Sequence, residues 1–176
     1  MMVEDIDFSK NIPRQGLLDA LKEEAGTVSV TDIMAALTHL KKESIHVNAS
    51  YRKEYDQAYI QSFLMRIKEI RNNKKDYEGL INTDELQKAI TTLKNQQKLA
   101  ELDHDQHMHF FKIYRLITLY TTFIMDEPVH PVGMPFPGGF KIKQENGIYY
   151  CPVKENQKDN PGAVCGICIA EQDQDV

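Results

Sequence analysis

The stretch YRKEYDQAYIQSFLMRIKEI, residues 51–70, indicates the fold class of this 176-residue chain. Its large apolar side chains recur every three or four residues, at Tyr51, Tyr55, Tyr59, Phe63, Ile67 and Ile70. This spacing places them on one side of an α-helix of about five turns. Because a helix with one apolar stripe buries that stripe against other elements, the stretch predicts a helical bundle.

The rest of residues 1–127 carries similar helical patterns. Two polar pairs, Ser29 with Asp32 and Asn82 with Glu85, are typical of the first turn of a helix. Another such pair, Asp103 with Gln106, precedes a segment that is apolar on most of its circumference, so we expect that helix to lie at the centre. The predicted fold class is mainly α, a bundle of four to five helices, with candidate helices at 12–23, 29–42, 51–70, 83–101 and 104–126.

The composition of the sequence changes at Pro128, and we predict that a second unit, residues 128–176, begins there. The run PVHPVGMPFPGGF (128–140) holds too many prolines and glycines for regular helix. The run FKIKQENGIYYC (140–151) has alternating apolar residues around Asn146-Gly147, which predicts a β-hairpin with a type I′ turn. We therefore expect a small C-terminal lobe of loops and one hairpin.

Charge and hydropathy exclude several classes of protein. With 21 Lys and Arg against 26 Asp and Glu, the net charge is −5, which disfavours a nucleic-acid-binding role. The acidic opening MMVEDIDFSK lacks the apolar core of a signal peptide. The longest uncharged apolar run, residues 116–125, is shorter than the about 20 residues that span a bilayer. We expect a cytoplasmic protein without a membrane segment.

The cysteines supply the main functional signal. All three of them, Cys151, Cys165 and Cys168, lie in the C-terminal segment YYCPVKENQKDNPGAVCGICIAEQ (149–172). Two thiolates three positions apart bind one metal ion when the turn between them aims amides at the sulfurs, and a third thiolate follows from the end of the hairpin. His130 in the same irregular segment is our choice for the fourth ligand. Zinc is the first candidate ion, and an iron–sulfur cluster is the second.

Other readings of the same residues stay open. The cysteines could be small buried side chains with no metal, or Cys165 and Cys168 could form a thiol–disulfide redox pair. His107 is a less favoured fourth ligand, since it lies far from the segment along its helix. The pair His104 and His107 shares a helix face, but it lacks the carboxylate base of a zincin pattern and is read as a polar helix start.

The motifs HPVGMPFPGGF (130–140) and YYCPVKENQKDNPGAVCGICIAEQ (149–172) resemble the C-terminal signature of an uncharacterised family of methanogenic archaea. The resemblance is most specific over residues 130–172. It implies an anaerobic archaeal cytosol, and it implies that His130, the 135–139 loop and the three cysteines belong to one recurring constellation. The family carries no activity that could be transferred to this chain.

Two functions follow. The first is a metal-stabilised accessory or protein-interaction protein, in which residues 128–140 and the helical surface contact a protein partner through side chains such as Met134 and Phe136. The second is a metal-dependent or thiol-redox enzyme, for which Glu155 and Glu171 are the nearest candidate bases. We favour the first, non-enzymatic function because no acid–base constellation is evident in the sequence.

Overall fold

The computed structural model describes residues 2–102 and 107–176, without the side chain of His107. Among these residues the protein is mainly helical, as predicted, with a small portion of strand. The α-helices are α1 (Arg14–Thr27), α2 (Val30–Glu43), α3 (Arg52–Asn72), α4 (Thr83–Leu102), α5 (His107–Tyr120) and α6 (Lys154–Gln157). The strands are β1 (Ile12–Pro13), β2 (Leu80–Ile81), β3 (Lys143–Glu145), β4 (Ile148–Cys151) and β5 (Glu171–Gln172).

Both predicted helix starts outside residues 103–106 are confirmed. At α2, the Asp32 amide donates to Ser29 Oγ at 3.1 Å, and the Ser29 amide donates to Asp32 Oδ2 at 2.7 Å. At α4, Asn82 Oδ1 accepts hydrogen bonds from the amides of Asp84 and Glu85. These bonds satisfy amides that have no partner inside the helix, which is why these residues mark the boundaries.

Helix α5 lies at the centre of the bundle, as its apolar circumference predicts. It packs against α1, α2, α3 and α4. Its buried apolar side chains are Phe110, Ile113, Leu116, Ile117, Leu119 and Tyr120. The stripe on α3 is buried at Phe63, Ile67 and Ile70 and half-buried at its tyrosines. The predicted start of the central helix at Asp103 and Gln106 lies outside the described residues.

The central helix ends in a π-helical turn, Thr121–Met125, which no pattern in the sequence predicts. Asp126 then adopts a left-handed conformation, with φ of 52°, and turns the chain out of the bundle. Two salt bridges hold this exit, since Asp126 pairs with Arg14 and Glu127 pairs with Arg66. The turn therefore fixes where the C-terminal segment begins its path over the helices.

The predicted hairpin is confirmed and extended. Strands β3 and β4 are antiparallel, and Asn146 and Gly147 between them have φ of 51° and 81°, as a type I′ turn requires. Strand β5 adds to β4 in parallel, pairing Tyr150 with Glu171 and Cys151 with Gln172. A second small sheet joins β1 to β2. Neither addition is visible in the sequence, because two-residue strands carry no alternation.

The C-terminal segment packs directly on the helices. Val129 and Val164 belong to the main core, while Ile142, Cys151 and Ala170 form a separate small core. Cys168 packs against both cores. The boundary at 127/128 remains a prediction, since these contacts describe the packing of the segment and not its independence. Within the described ranges, no helix combines the length and apolar character needed to cross a membrane.

Candidate functional site

The three cysteines come from two places in the chain. Cys151 ends strand β4 and is buried. Cys165 and Cys168 sit on a helical turn in which the amides of Ile167 and Cys168 both donate to the Val164 carbonyl at 2.9 Å. Cys165 is buried, Cys168 is half-buried, and all three thiols are free. The hairpin end and the turn are brought together when β5 pairs with β4.

The thiols lie within electrostatic range of one another. Burial raises the pKa of Cys165, and the neighbouring Cys151 and Cys168 raise it further. Burial likewise raises the pKa of Cys151, with an added contribution from Cys168. The sulfurs of all three therefore share one electrostatic environment, which we call the cysteine cluster: Cys151, Cys165 and Cys168.

Backbone amides are directed at two of the sulfurs. The amides of Val153 and Lys154 interact with the Cys151 thiol and favour its charged form. The Val129 amide donates to Cys168 Sγ at 3.5 Å. Amides that donate to sulfur stabilise thiolates, but burial outweighs them here and leaves the pKa of Cys151 and Cys165 raised.

Lys154 links the two parts of the cysteine cluster. Its ammonium donates to the carbonyl oxygens of Cys165 and of Cys168, the second at 2.6 Å. Its charge also lowers the pKa of Cys151 and Cys165, in opposition to their burial. Sequence analysis missed this residue. In the sequence, Lys154 is marked only by its position three residues after Cys151. That position does not reveal its contacts with Cys165 and Cys168, which lie 11 and 14 residues further along the chain.

His130 follows Val129, whose amide donates to Cys168, but its own ring packs among aromatic side chains. Its ring centroid is 5.7 Å from that of Tyr59 and 5.9 Å from that of Phe136. Burial lowers the pKa of His130 to about 4, so the imidazole is neutral at physiological pH. Neutral imidazole is the form that binds a metal, but among the described residues no hydrogen bond joins this ring to a cysteine.

The geometry of the described residues does not show the predicted metal site. Cys151, Cys165 and Cys168 lie within electrostatic range of one another, and their thiols are the ligand type that soft ions prefer. Yet within residues 2–102 and 107–176, no group of three or more His, Cys, Asp and Glu side chains is arranged to hold an ion. The metal site, its ligands and its ion therefore stay a prediction.

Other residues singled out in the sequence lie elsewhere. Glu155 forms an ion pair with Lys158 at 2.6 Å, and Glu171 is exposed on β5. Met134 is 1% exposed and Phe136 packs on the small core, so the expectation that Met134 is offered to a partner is wrong. Gly133 has φ of 87°, and the backbone of Gly133 and Met134 is hydrogen-bonded to that of Ile142. The pair His104 and His107 lies outside the described side chains.

Comparison with known proteins gives the family. The model of a family described as an uncharacterized protein conserved in archaea, DUF2115, matches residues 13–173. A UPF0305 protein of Methanothermobacter thermautotrophicus is 40% identical over 91% of this chain and 96% of its own length. Others from Methanococcus maripaludis (31%, over 86% and 91%) and Methanocaldococcus jannaschii (27%, over 88% and 93%) are also similar. No solved structure matches, and the chain belongs to this archaeal family.

Proposed function

We propose that this member of the DUF2115 family is a metal-binding accessory protein in which Cys151, Cys165 and Cys168 hold one ion. The observation that supports the proposal is that two buried thiols and one half-buried thiol, from two chain segments, lie within electrostatic range of one another. The Val129 amide donates to Cys168 Sγ, and the Lys154 ammonium donates to the carbonyls of Cys165 and Cys168. Zinc is the first candidate, and an iron–sulfur cluster is the alternative that the same ligands accept.

Electrostatics supports a cation at this position. Three thiolates in a buried site repel one another, and burial alone favours the protonated form. Lys154 supplies one compensating charge, which is not enough for three thiolates. A divalent ion would supply two more and would stabilise the deprotonated sulfurs, as metal ions do with their thiol ligands. His130, neutral and one residue from Val129, is the proposed fourth ligand.

The same features disfavour a redox or catalytic role for the thiols. Reactive cysteines have lowered pKa values and are accessible, whereas Cys151 and Cys165 have raised pKa values and are buried. Glu155 is engaged with Lys158, away from the sulfurs. A structural ion that holds the C-terminal segment together fits these observations better than chemistry at the ion.

The accessory role includes a protein partner. In residues 128–140 the apolar side chains offered to solvent are Val132, 53% exposed, and Phe140, 39% exposed. Val132 and Pro131 border a groove on α3 whose other wall includes the exposed Met65. Exposed apolar surface often marks a protein interaction site, so we propose that the partner binds at this edge. We propose that the contact is made in the cytoplasm.

Metal analysis of protein purified without oxygen tests the proposal. We expect about one zinc per chain, or an iron–sulfur cluster with absorbance near 400 nm. Cys165→Ser should lower the metal content at least tenfold and expose residues 130–176 to protease while the helices persist. Ala163→Ser, on the same loop with all thiols intact, should keep the metal. A folded, metal-free wild type whose three thiols react freely would overturn the proposal.

A further inference from the structure

A cavity of about 590 Å³ lies away from the partner surface. On one side its wall is formed by β2, α4 and the π-helical turn that ends α5. On the other side the wall comes from Gly166, Ile167 and Ile169, which flank Cys168. The volume falls within the range of small-molecule sites, about 300–1,000 Å³.

A buried hydroxyl without a partner lines this cavity. Thr122 is 7% exposed, and its Oγ1 has no hydrogen-bond partner among the described residues. Burying an unpaired hydroxyl costs about 1–3 kcal/mol, so native structures rarely keep one without a use for it. Thr122 also lies on the π-helical turn, a feature often found at functional sites. In a helix, threonine adopts two χ1 rotamers, so rotation can turn this hydroxyl to a ligand.

Free charges of both signs border the cavity. Glu85 and Lys88 are exposed on α4, one helical turn apart, and no ion pair joins either to another described residue. Arg14 is already engaged, because its Nε donates to the Phe123 carbonyl at 2.9 Å and its guanidinium pairs with Asp126. Glu78 also lines the cavity, is exposed, and forms no ion pair with another described residue, so the available groups are two carboxylates and one ammonium, placed to meet the ammonium and the carboxylate of a ligand.

Apolar side chains form part of the same lining. Ala89 and Phe123 are buried in the wall, and Ile167 and Ile169 face them from the cysteine segment. A ligand with a short apolar body would displace water from this surface and gain about 25 cal/mol per Å² of apolar area. The cavity thus combines apolar wall residues with a rim that carries free charges of both signs.

We infer that this cavity binds a small zwitterion with an apolar side chain, of the chemical class of the branched apolar α-amino acids. The ammonium of the ligand meets Glu85, its carboxylate meets Lys88, and its side chain lies against Ala89 and the isoleucines. Thr122 Oγ1 donates to the ligand carboxylate. This inference does not depend on metal binding, since none of these groups is a thiol.

Calorimetric titration with three probes of nearly the same shape tests the chemical class. L-leucine carries both charges, 3-methylbutylamine carries only the ammonium, and 4-methylpentanoate carries only the carboxylate. We expect saturable binding of L-leucine, at least tenfold tighter than either singly charged probe, because each of the latter leaves one rim charge without a partner. Equal binding of all three, or no saturable heat up to about 10 mM, would overturn the inference.

Two threonine variants test the site itself. Thr122→Val removes the unpaired hydroxyl at nearly constant volume, so the melting temperature should be unchanged or higher while the affinity for L-leucine falls about fivefold. Thr91→Val is the matched control, on the exposed face of α4 with its hydroxyl bonded to the Gln87 carbonyl at 2.8 Å. It should leave the affinity unchanged. Wild-type affinity in Thr122→Val would contradict the assignment.

Discussion

At the scale of single residues, Lys154 joins the parts of the cysteine cluster through both of its ends. Its backbone amide interacts with the Cys151 thiol, and its ammonium donates to the carbonyls of Cys165 and Cys168. Hydrogen bonds from a charged donor contribute about 1.5–3 kcal/mol each to stability when they are shielded from water. The half-buried position of this side chain provides part of that shielding.

Lys154→Met is therefore expected to lower the free energy of unfolding by about 2 kcal/mol and to weaken metal retention about tenfold. Denaturant unfolding and competition with a chelator measure the two effects. Lys158→Met is the matched control, four residues further on, because the one ion pair that Lys158 forms with a described residue is with Glu155 on the surface. It should change stability by less than about 0.5 kcal/mol. Identical behaviour of both variants would show that Lys154 does not position the cluster.

Glu24, which is buried on α1, is a second residue whose side chain joins distant parts of the chain. Its carboxylate accepts from the Val3 amide at 2.7 Å and from Arg115 at 2.6 Å. Arg115 also pairs with Glu4, whose side chain is 53% exposed. One arginine thus forms a buried and an exposed ion pair, which permits a comparison within the same protein.

Glu24→Ala should destabilise the protein by about 3 kcal/mol, because it leaves the Arg115 guanidinium and the Val3 amide unpaired in the interior. Glu4→Ala should cost less than about 1 kcal/mol, since solvent screens that pair. Urea unfolding of both variants provides the measurement. A loss for Glu4→Ala that equals the loss for Glu24→Ala would contradict this assignment of burial.

Sequence patterns locate residues such as Asn146, whose neighbours in the chain reveal its place in a turn. They do not locate Lys154 or Glu24. The partner of Glu24 lies 91 residues away, so its spacing within α1 gives no sign of the pairing. Thr122 is hidden for a similar reason, because a threonine in an apolar run reads as ordinary core. Contacts between distant segments, rather than residue type, decide these roles.

At the scale of secondary-structure elements, the start of α2 is fixed to α5 through Asp32. Its Oδ1 lies 2.6 Å from Nδ1 of His109, and its Oδ2 lies 3.3 Å from the Lys112 ammonium. The Ser29 amide makes the largest contribution to lowering the pKa of Asp32 well below its usual range, and His109, the Ser29 hydroxyl and Lys112 lower it further. One carboxylate thus serves both the helix cap and the packing of two helices.

The lowered pKa of Asp32 predicts a pH dependence with a definite sign. The stabilisation by this carboxylate is fully present above its unfolded pKa, about 4, and is lost as the pH falls toward the folded value. Wild type should exceed Asp32→Asn in unfolding free energy at pH 7, and the difference should shrink steadily below about pH 4. Urea unfolding across this range measures it. A constant difference from pH 7 to pH 2 would exclude the carboxylate charge as its source.

Elements with their own sequence signals were predictable. Helix caps at Ser29 and Asn82, the stripe of α3 and the Asn146-Gly147 turn all appear where the patterns place them. The π-helical turn and strand β5 were not predictable, because both depend on tertiary contacts. Threonine and phenylalanine in the π turn carry the same apolar pattern as the helix before them, and β5 has only two residues.

At the scale of the whole molecule, the C-terminal segment, which carries the cysteine cluster, packs on the helical bundle. Composition predicts a change of structure at Pro128, but it does not predict that Val129 and Val164 enter the main core. Gln96 of α4 also donates to the carbonyls of Pro161 and Ala163, which holds the cysteine segment on the bundle. An ion in the cluster would stiffen this segment, and with it one wall of the cavity near Thr122.

X-ray absorption at the metal edge, on anaerobically purified protein, is the most direct test of whether the three thiols bind one ion. For zinc we expect three sulfur neighbours at about 2.3 Å and one nitrogen at about 2.0–2.1 Å, the latter lost in His130→Ala. For an iron–sulfur cluster, iron neighbours would appear beyond the sulfur shell. A first shell of oxygen and nitrogen alone would contradict ligation by Cys151, Cys165 and Cys168.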